Sequence, residues 1–319
     1  MRALITGITG FVGSHLAEYL LKKNEDVYGT YRWRSPMENI LHIKDKINLV
    51  HCELLDFKST YEAITKVEPD VIYHLAAQSY VPASFNEPAA TIQINVLGTL
   101  NILESVRLSK IDPIIHICSS SEVYGQVKPE EVPIKETNPF RPASPYAVSK
   151  VAEDMLGYQY FLSYGIKTIR TRMFTHTGPR RGYVFVVSAF AKQIAEIEKG
   201  KPPIIRVGNL NSIRTFLDVR DAVRAYWLLV RKCKPGEVYN IGGKVTMKIG
   251  DMLNKLIDLA NDKIRGKIKV KVDPKLLRPS DVTLQIPCIE KFVKATGWQP
   301  RIPFEKTLKD TLDYWRERV

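Results

Sequence analysis

The sequence predicts an α/β protein: a doubly wound parallel sheet with a smaller, intertwined α/β region. Three observations carry this expectation. Short apolar runs alternate with helix-periodic stretches through the first two-thirds of the chain. A glycine-rich turn joins the first such run to the first helix. Past residue 170 the alternation loosens, with no repeat, low-complexity tract or long linker to mark a separate unit. The chain has 319 residues, 45% hydrophobic and 25% charged. Those proportions exclude a disordered chain, and the length suits two domains or one large domain with an appendage.

Each element has its own signal. RALIT (2–6) is an apolar strand, and a helical pattern follows at 12–23. DVYGT (26–30), INLVHCEL (47–54) and DVIYHLA (70–76) are further strands, with a helix at 58–67 between the last two. Leu97, Leu100, Leu103 and Val106 recur at helical spacing within a helix near 89–109. PIIHICSS (113–120) has the near-continuous apolar character of a strand buried on both faces. Right-handed crossovers between such strands give the doubly wound order. Beyond it come a helix at 146–162, a loop at 174–185, a helix at 185–199 and a short strand near 204–207. RTFLDVRDAVRAYWLLVRK supplies a strand edge and a helix, and GEVYNIGG (236–243) another strand. RPSDV (278–282) is a loop and 304–317 a last amphipathic helix. The expected division is residues 1–172 with about 214–242 for a nucleotide, and about 173–213 with 243–319 for a substrate.

Lys and Arg number 47 against 34 Asp and Glu, a formal net charge of +13. The basic residues are interspersed with acidic ones, which argues against nucleic acid and for an anionic small substrate or a heat-adapted surface. The densest run, KIRGKIKVKVDPK (263–275), alternates with apolar residues and reads as a strand with one solvated face. No run approaches the roughly 18 apolar residues of a membrane span. Glycines and His15 interrupt the apolar opening, so no signal peptide is expected. Cys52, Cys118, Cys233 and Cys288 lie far apart without metal spacing, pointing to no disulfide, no metal and a cytoplasmic location.

Gly7, Gly10 and Gly13 form GxxGxxG between the first strand and the first helix, with Thr9, Phe11 and Val12 in the same turn. Glycine there permits the tight turn and lets backbone N–H groups approach a pyrophosphate, as in a Rossmann dinucleotide site. The second strand ends in Arg32-Trp33-Arg34 with no acid, which favours a ribose 2′-phosphate and hence NADP(H) over NAD(H). Tyr146 and Lys150 share a helical face, where an ammonium favours the phenolate. Such a tyrosine takes a proton from a sugar hydroxyl as hydride leaves the same carbon. The strand ending at Ser119, Ser120, Ser121 and Glu122 delivers hydroxyls and a carboxylate to the same sheet edge. A carboxylate there has no role in simple hydride transfer but suits removal of a proton next to a carbonyl.

TGxxGxxG at 6–13, HLAAQSYVPASF at 74–85, SSSEVYG at 119–125 and Tyr146-x-x-x-Lys150 together resemble the extended short-chain dehydrogenase/reductase superfamily. The resemblance covers essentially the whole chain. Leu75-Ala76-Ala77-Gln78-Ser79, Ser120-Ser121-Glu122, HTGPRRG (176–182), VGNLNSIR (207–214) and RPSDV make it most similar to the GDP-mannose 4,6-dehydratases. The resemblance implies Ser120, Glu122, Tyr146 and Lys150 as catalytic residues, with Ser120 and Tyr146 at the sugar O4 and Glu122 at the C5 proton. It implies NADP contacts from Glu53, Leu54, Leu75, Ala76, Ala77, Ser79, His176 and Arg181, beside those of the glycine turn and Arg32. For a GDP-sugar it implies Ser84, Ser121, Glu122, Thr175, Asn209, Arg214 and Arg278, the arginines on the diphosphate. The implied chemistry is an internal redox cycle with a tightly bound, recycled NADP, yielding a 4-keto-6-deoxy sugar. A homodimer or homotetramer is implied too, paired through the helices at 89–109 and 146–162.

The departures from that pattern are Thr175 for an asparagine, Ser120 for a threonine and Ala90 for a tyrosine. Ser121 stands where dTDP-glucose dehydratases carry an aspartate. An NADPH-dependent 4-reductase on the 4-keto-6-deoxy product and a sugar-nucleotide 4-epimerase are the alternatives. A decarboxylase and a non-catalytic NADP-binding protein fit the residues less well.

Overall fold

The computed structural model describes residues 1–319. Its first part comprises β1 (Arg2–Thr6), α1 (Phe11–Leu21), β2 (Asp26–Tyr31), β3 (Asn48–His51), α2 (Phe57–Val67) and β4 (Val71–His74). Next come α3 (Val81–Asn86), α4 (Pro88–Ile92), α5 (Gly98–Ser109), β5 (Ile114–Ser120), α6 (Pro145–Tyr164) and β6 (Thr168–Met173). Then follow β7 (His176–Thr177), α7 (Val186–Glu198), β8 (Ile204–Val207), β9 (Ile213–Asp218), α8 (Val219–Lys232) and β10 (Val238–Ile241). The chain ends with β11 (Val245–Lys248), α9 (Ile249–Asp258), α10 (Asp262–Arg265), β12 (Lys269–Val272), β13 (Leu284–Gln285), α11 (Glu290–Thr296) and α12 (Phe304–Arg316).

Seven strands form one parallel sheet in the order β10-β6-β5-β4-β1-β2-β3. On one face Leu16 and Leu20 of α1 and Val223, Tyr226 and Leu229 of α8 pack over Ile5, Val27 and Tyr73. On the other, Ile64, Leu103, Val106 and Tyr160 from α2, α5 and α6 pack over Leu4, Ile72 and Ile115. Coverage on both faces is what near-continuous apolar strands require. The strand order reverses between β1 and β4, so a crevice opens beyond their carboxyl ends. Most of the candidate site residues collect there.

β6 and β12 differ from the sequence expectation. β6 (TIRTRM) lies between β5 and β10, yet Arg170 and Arg172 interrupt its apolar run. Both arginines are buried, and Asp154 of α6 pairs with each at 2.8 Å. A pairing partner on another element turns a charged segment into an interior strand. The basic strand β12 forms, but neither of its faces is buried: Val270 and Val272 are 43% and 54% exposed. It pairs only with β8, and nothing covers its apolar side.

The expected helix near 89–109 is α4 and α5 joined by a π turn over Gln93–Leu97. Leu103 faces the sheet, whereas Leu97 is exposed. α6 starts where Ser144 accepts the Ala147 N–H at 3.1 Å, with Pro145 in its first turn, and stops at Gly165 in the left-handed region.

β9 pairs with β11, β13 and β7 in a smaller sheet. Phe190, Ile194, Met252, Leu256, Leu308 and Trp315 from α7, α9 and α12 make a separate core there. α8 follows β9 directly and packs on the large sheet beside α1. No helix is long and apolar enough to cross a membrane.

Candidate active site

The floor of the crevice is set by Thr6 at the end of β1. Its hydroxyl oxygen accepts the N–H groups of Leu75 (3.0 Å) and Ala76 (3.1 Å), so its proton goes to His74 Nδ1 at 2.9 Å. His74 Nε2 then donates to Thr99 (3.0 Å), and Thr99 donates to the Asn95 carbonyl at 2.7 Å. Burial holds His74 down to about 3, so it stays neutral. Gly7 has φ +71° beside Ala76, where a Cβ would lie 3.1 Å from Ala76 Cα. At Gly13 a Cβ would stand 2.4 Å from the Gly7 carbonyl oxygen. α1 begins at Gly10 with no side-chain cap and no acid in its first turn. The free N–H groups at Phe11, Val12 and Gly13 therefore form an anion cradle, and Asn39 holds the Thr9 carbonyl beside them at 3.0 Å.

The rest of the crevice continues this surface. Leu75 to Ser79 run along it, fixed by Asn95, which accepts the Gln78 N–H (2.8 Å) and donates to the Gln78 carbonyl (3.0 Å) and Ser149 (2.8 Å). Glu53 and Leu54 follow β3, with Leu54 buried against Gly98. Beyond β2, Ser35 accepts the Arg32 N–H at 3.0 Å and closes a turn in which Arg34 has φ +60°. Arg32 and Arg34 are exposed, and neither forms an ion pair.

The candidate reactive groups stand at the start of α6 and the end of β5. Tyr146 stands in the first turn of α6, with Lys150 one turn further on. Burial pushes the Tyr146 phenol up, while the Lys150 ammonium and a hydrogen bond to Ser120 pull it back. The Ser120 hydroxyl accepts the Glu122 backbone N–H at 3.2 Å. Burial pushes the Glu122 carboxyl up as well, against the pull of Arg214 and Arg278. Ser121 donates to Gln285 Oε1 at 2.8 Å.

Asp281 gathers the basic side of the site. Asn209 and Ser212 donate to its Oδ2 at 3.0 and 2.9 Å, and Arg214 and Arg278 lie 3.5 and 3.8 Å from Oδ1. On the opposite wall, His176 donates from Nδ1 to the Phe174 carbonyl at 3.2 Å and stacks on Phe11, leaving Nε2 as an acceptor. Burial holds it neutral, down to about 3. Arg181 sits 5.0 Å from the Phe11 ring and 3.7 Å from the Phe185 ring. Burial lowers it to about 10, against the pull of Tyr146 and Tyr226, and no carboxylate pairs with it. A half-buried cation without an acidic partner is open to an anion.

Two expected contacts are placed differently from the rest. Ser84 is fully buried in α3, its hydroxyl donating to the Val81 carbonyl at 2.7 Å. Thr175 is tied to β9 through its carbonyl, which accepts the Leu217 N–H at 3.0 Å.

A family model described as GDP-mannose 4,6 dehydratase matches residues 4–311. The chain belongs to that family. A GDP-6-deoxy-D-mannose reductase of Pseudomonas aeruginosa is 32% identical, with 100% of this chain and 98% of that protein covered. A GDP-mannose 4,6-dehydratase of Yersinia enterocolitica is also 32% identical, with coverage of 96% and 91%. The solved structure of RMD from Pseudomonas aeruginosa complexed with NADPH matches at TM-score 0.84 and 32% identity, covering 100% of this chain and 99% of that one.

Sequence reasoning missed Thr6, Asn95, Gln285 and Asp281. Thr6 is adjacent to the glycine motif and was legible as its first letter. Asn95, Gln285 and Asp281 bond to Gln78, Ser121 and Asn209, each far away along the chain, and no local pattern marks those contacts.

Proposed function

We propose that the protein is a sugar-nucleotide 4,6-dehydratase converting GDP-mannose to GDP-4-keto-6-deoxymannose. Glu122 carries the reading. Reduction or oxidation at C4 needs only Ser120, Tyr146 and Lys150, whereas a half-buried carboxyl with a raised pKa beside them supplies proton transfer at C5. The uncapped α1 terminus, the close approach at Gly7 and the unpaired Arg32 and Arg181 fit NADP, as does the NADPH-bound relative. Held by these residues, NADP would supply hydride-accepting and hydride-donating capacity with no net consumption.

The residues do the rest. Ser120 hydrogen-bonds the C4 oxygen while Tyr146 takes its proton, and Lys150 favours the phenolate. The ketone formed at C4 makes the C5 proton acidic. Glu122 takes that proton and then donates one to the departing C6 hydroxyl, which leaves as water. Arg214, Arg278 and Asn209 hold the GDP diphosphate. The large sheet with α8 and β10 holds the cofactor, and the smaller sheet with its helices holds the sugar nucleotide. Val148, Met155, Tyr158 and Leu162 make an exposed apolar face on α6, which pairs two copies of the chain.

The reductase relative, equal in identity to the dehydratase, favours one second reading: NADPH-dependent reduction of the 4-keto-6-deoxy sugar in the same crevice. Turnover of GDP-mannose in D2O separates them. The dehydratase leaves solvent deuterium at C5 of its product, and Glu122→Gln loses both product and label. Product without label at C5 overturns the role of Glu122.

A further inference from the structure

Behind Tyr146 and Lys150 lies a buried ion pair that the chemistry above does not use. Lys150 and Glu153 are three residues apart on α6, only 5% and 1% exposed, with Nζ 2.9 Å from Glu153 Oε2. An ammonium has three N–H donors. Cys118 O takes one at 3.0 Å and Glu153 a second, which leaves a single donor for the Tyr146 side and the bound cofactor. Glu153 Oε1 has no hydrogen-bond partner, because the nearby Thr99 hydroxyl donates to Asn95. A buried carboxylate with one oxygen unsatisfied is poor design for stability alone.

We infer that Glu153 is a positioning residue: it aims the last Lys150 donor and sets how much of the Lys150 charge reaches the Tyr146 phenol. This rests on the reading of Tyr146 as the proton-transfer group. Around the pair stand Tyr146 and Asp154 from α6, Cys118 and His116 from β5, His74 from β4 and Thr99 from α5. Asp154 is matched by Arg170 and Arg172, and burial keeps both histidines neutral. Glu153 is thus the anion left to face Lys150. Burial pushes its own carboxyl up to about 7, against the pull of Lys150. Ionised, Glu153 cancels part of the Lys150 field and keeps the phenol weakly acidic. Once protonated it releases that field, and the phenol becomes more acidic as the pH falls through neutrality.

The test is the phenolate absorbance of the NADP+-loaded protein followed against pH, with the matching Tyr146→Phe protein subtracted to isolate Tyr146. Glu153→Gln keeps the shape and an acceptor for Nζ but removes the charge, so the Tyr146 midpoint falls by about one pH unit. Glu153→Asp gives a smaller shift in the same direction, and decides the matter if the glutamine variant does not fold. A folded variant with an unmoved midpoint overturns the inference, since a purely structural role predicts that result. The readout needs no substrate. Wild-type protein that fails to dehydrate GDP-mannose sinks the proposed function but not Glu153, and normal dehydration with an unmoved midpoint does the reverse.

Discussion

Glu122 and Arg32 carry the two most specific assignments, and each fails in its own way. Glu122→Gln keeps the volume and the Arg214 and Arg278 surroundings, so NADP+ binding measured by fluorescence is unchanged. Dehydration by the same variant falls by about 10²- to 10⁴-fold, the range of a lost general acid–base. The native rate also has an acidic limb. Burial raises Glu122, the base form takes the C5 proton, and so activity is lost as pH falls through a midpoint above the ordinary carboxylate range. That limb is absent from whatever activity Glu122→Gln retains. Arg32→Ala weakens NADP+ by about 2 kcal/mol, near thirtyfold, and leaves NAD+ unchanged. Equal loss for both cofactors in a binding titration contradicts the 2′-phosphate assignment. At this scale the sequence was highly informative: the glycine triplet, Tyr146 with Lys150, and Ser120 with Glu122 each sit within a few residues of one another. Asp281 and Glu153 were not legible, because one gathers residues from separate loops and the other is defined by its burial behind Lys150.

α6 is the element on which most of the site depends. Its Ser144 cap fixes where Tyr146 and Lys150 stand, and Asp154 further along holds Arg170 and Arg172 in β6. Asp154→Asn leaves two buried guanidinium groups without their carboxylate, and urea unfolding reports a loss of about 3–5 kcal/mol. A loss below 1 kcal/mol would show that water or backbone carbonyls already satisfy both arginines. The same pair explains why β6 escaped the sequence reading: its arginines look solvated until Asp154 arrives from another element. The π turn at Gln93–Leu97 is equally hidden. Asn95 in its middle bonds to Gln78 and Ser149, and neither contact has a local sequence signature.

At the scale of the whole molecule, the doubly wound sheet follows from strand–helix alternation, and the smaller sheet follows only once the chain's returns are seen. The exposed apolar residues of α6 recur at one- and two-turn spacing, a stripe wide enough to need cover. Leu162→Glu places a charge in that stripe, and light scattering then reads the mass of a single chain where the wild type reads a dimer. A wild type that is already monomeric contradicts the pairing surface. Family membership leaves dehydratase and reductase both standing, and Glu122 is the residue that chooses between them. The decisive measurement is the product mass after the purified protein, loaded with NADP+ and given no reductant, is incubated with GDP-mannose. A dehydratase removes one water from the sugar and leaves the cofactor unchanged at the end. Intact GDP-mannose, together with consumption of NADPH when the 4-keto-6-deoxy sugar nucleotide is supplied instead, contradicts the dehydratase reading.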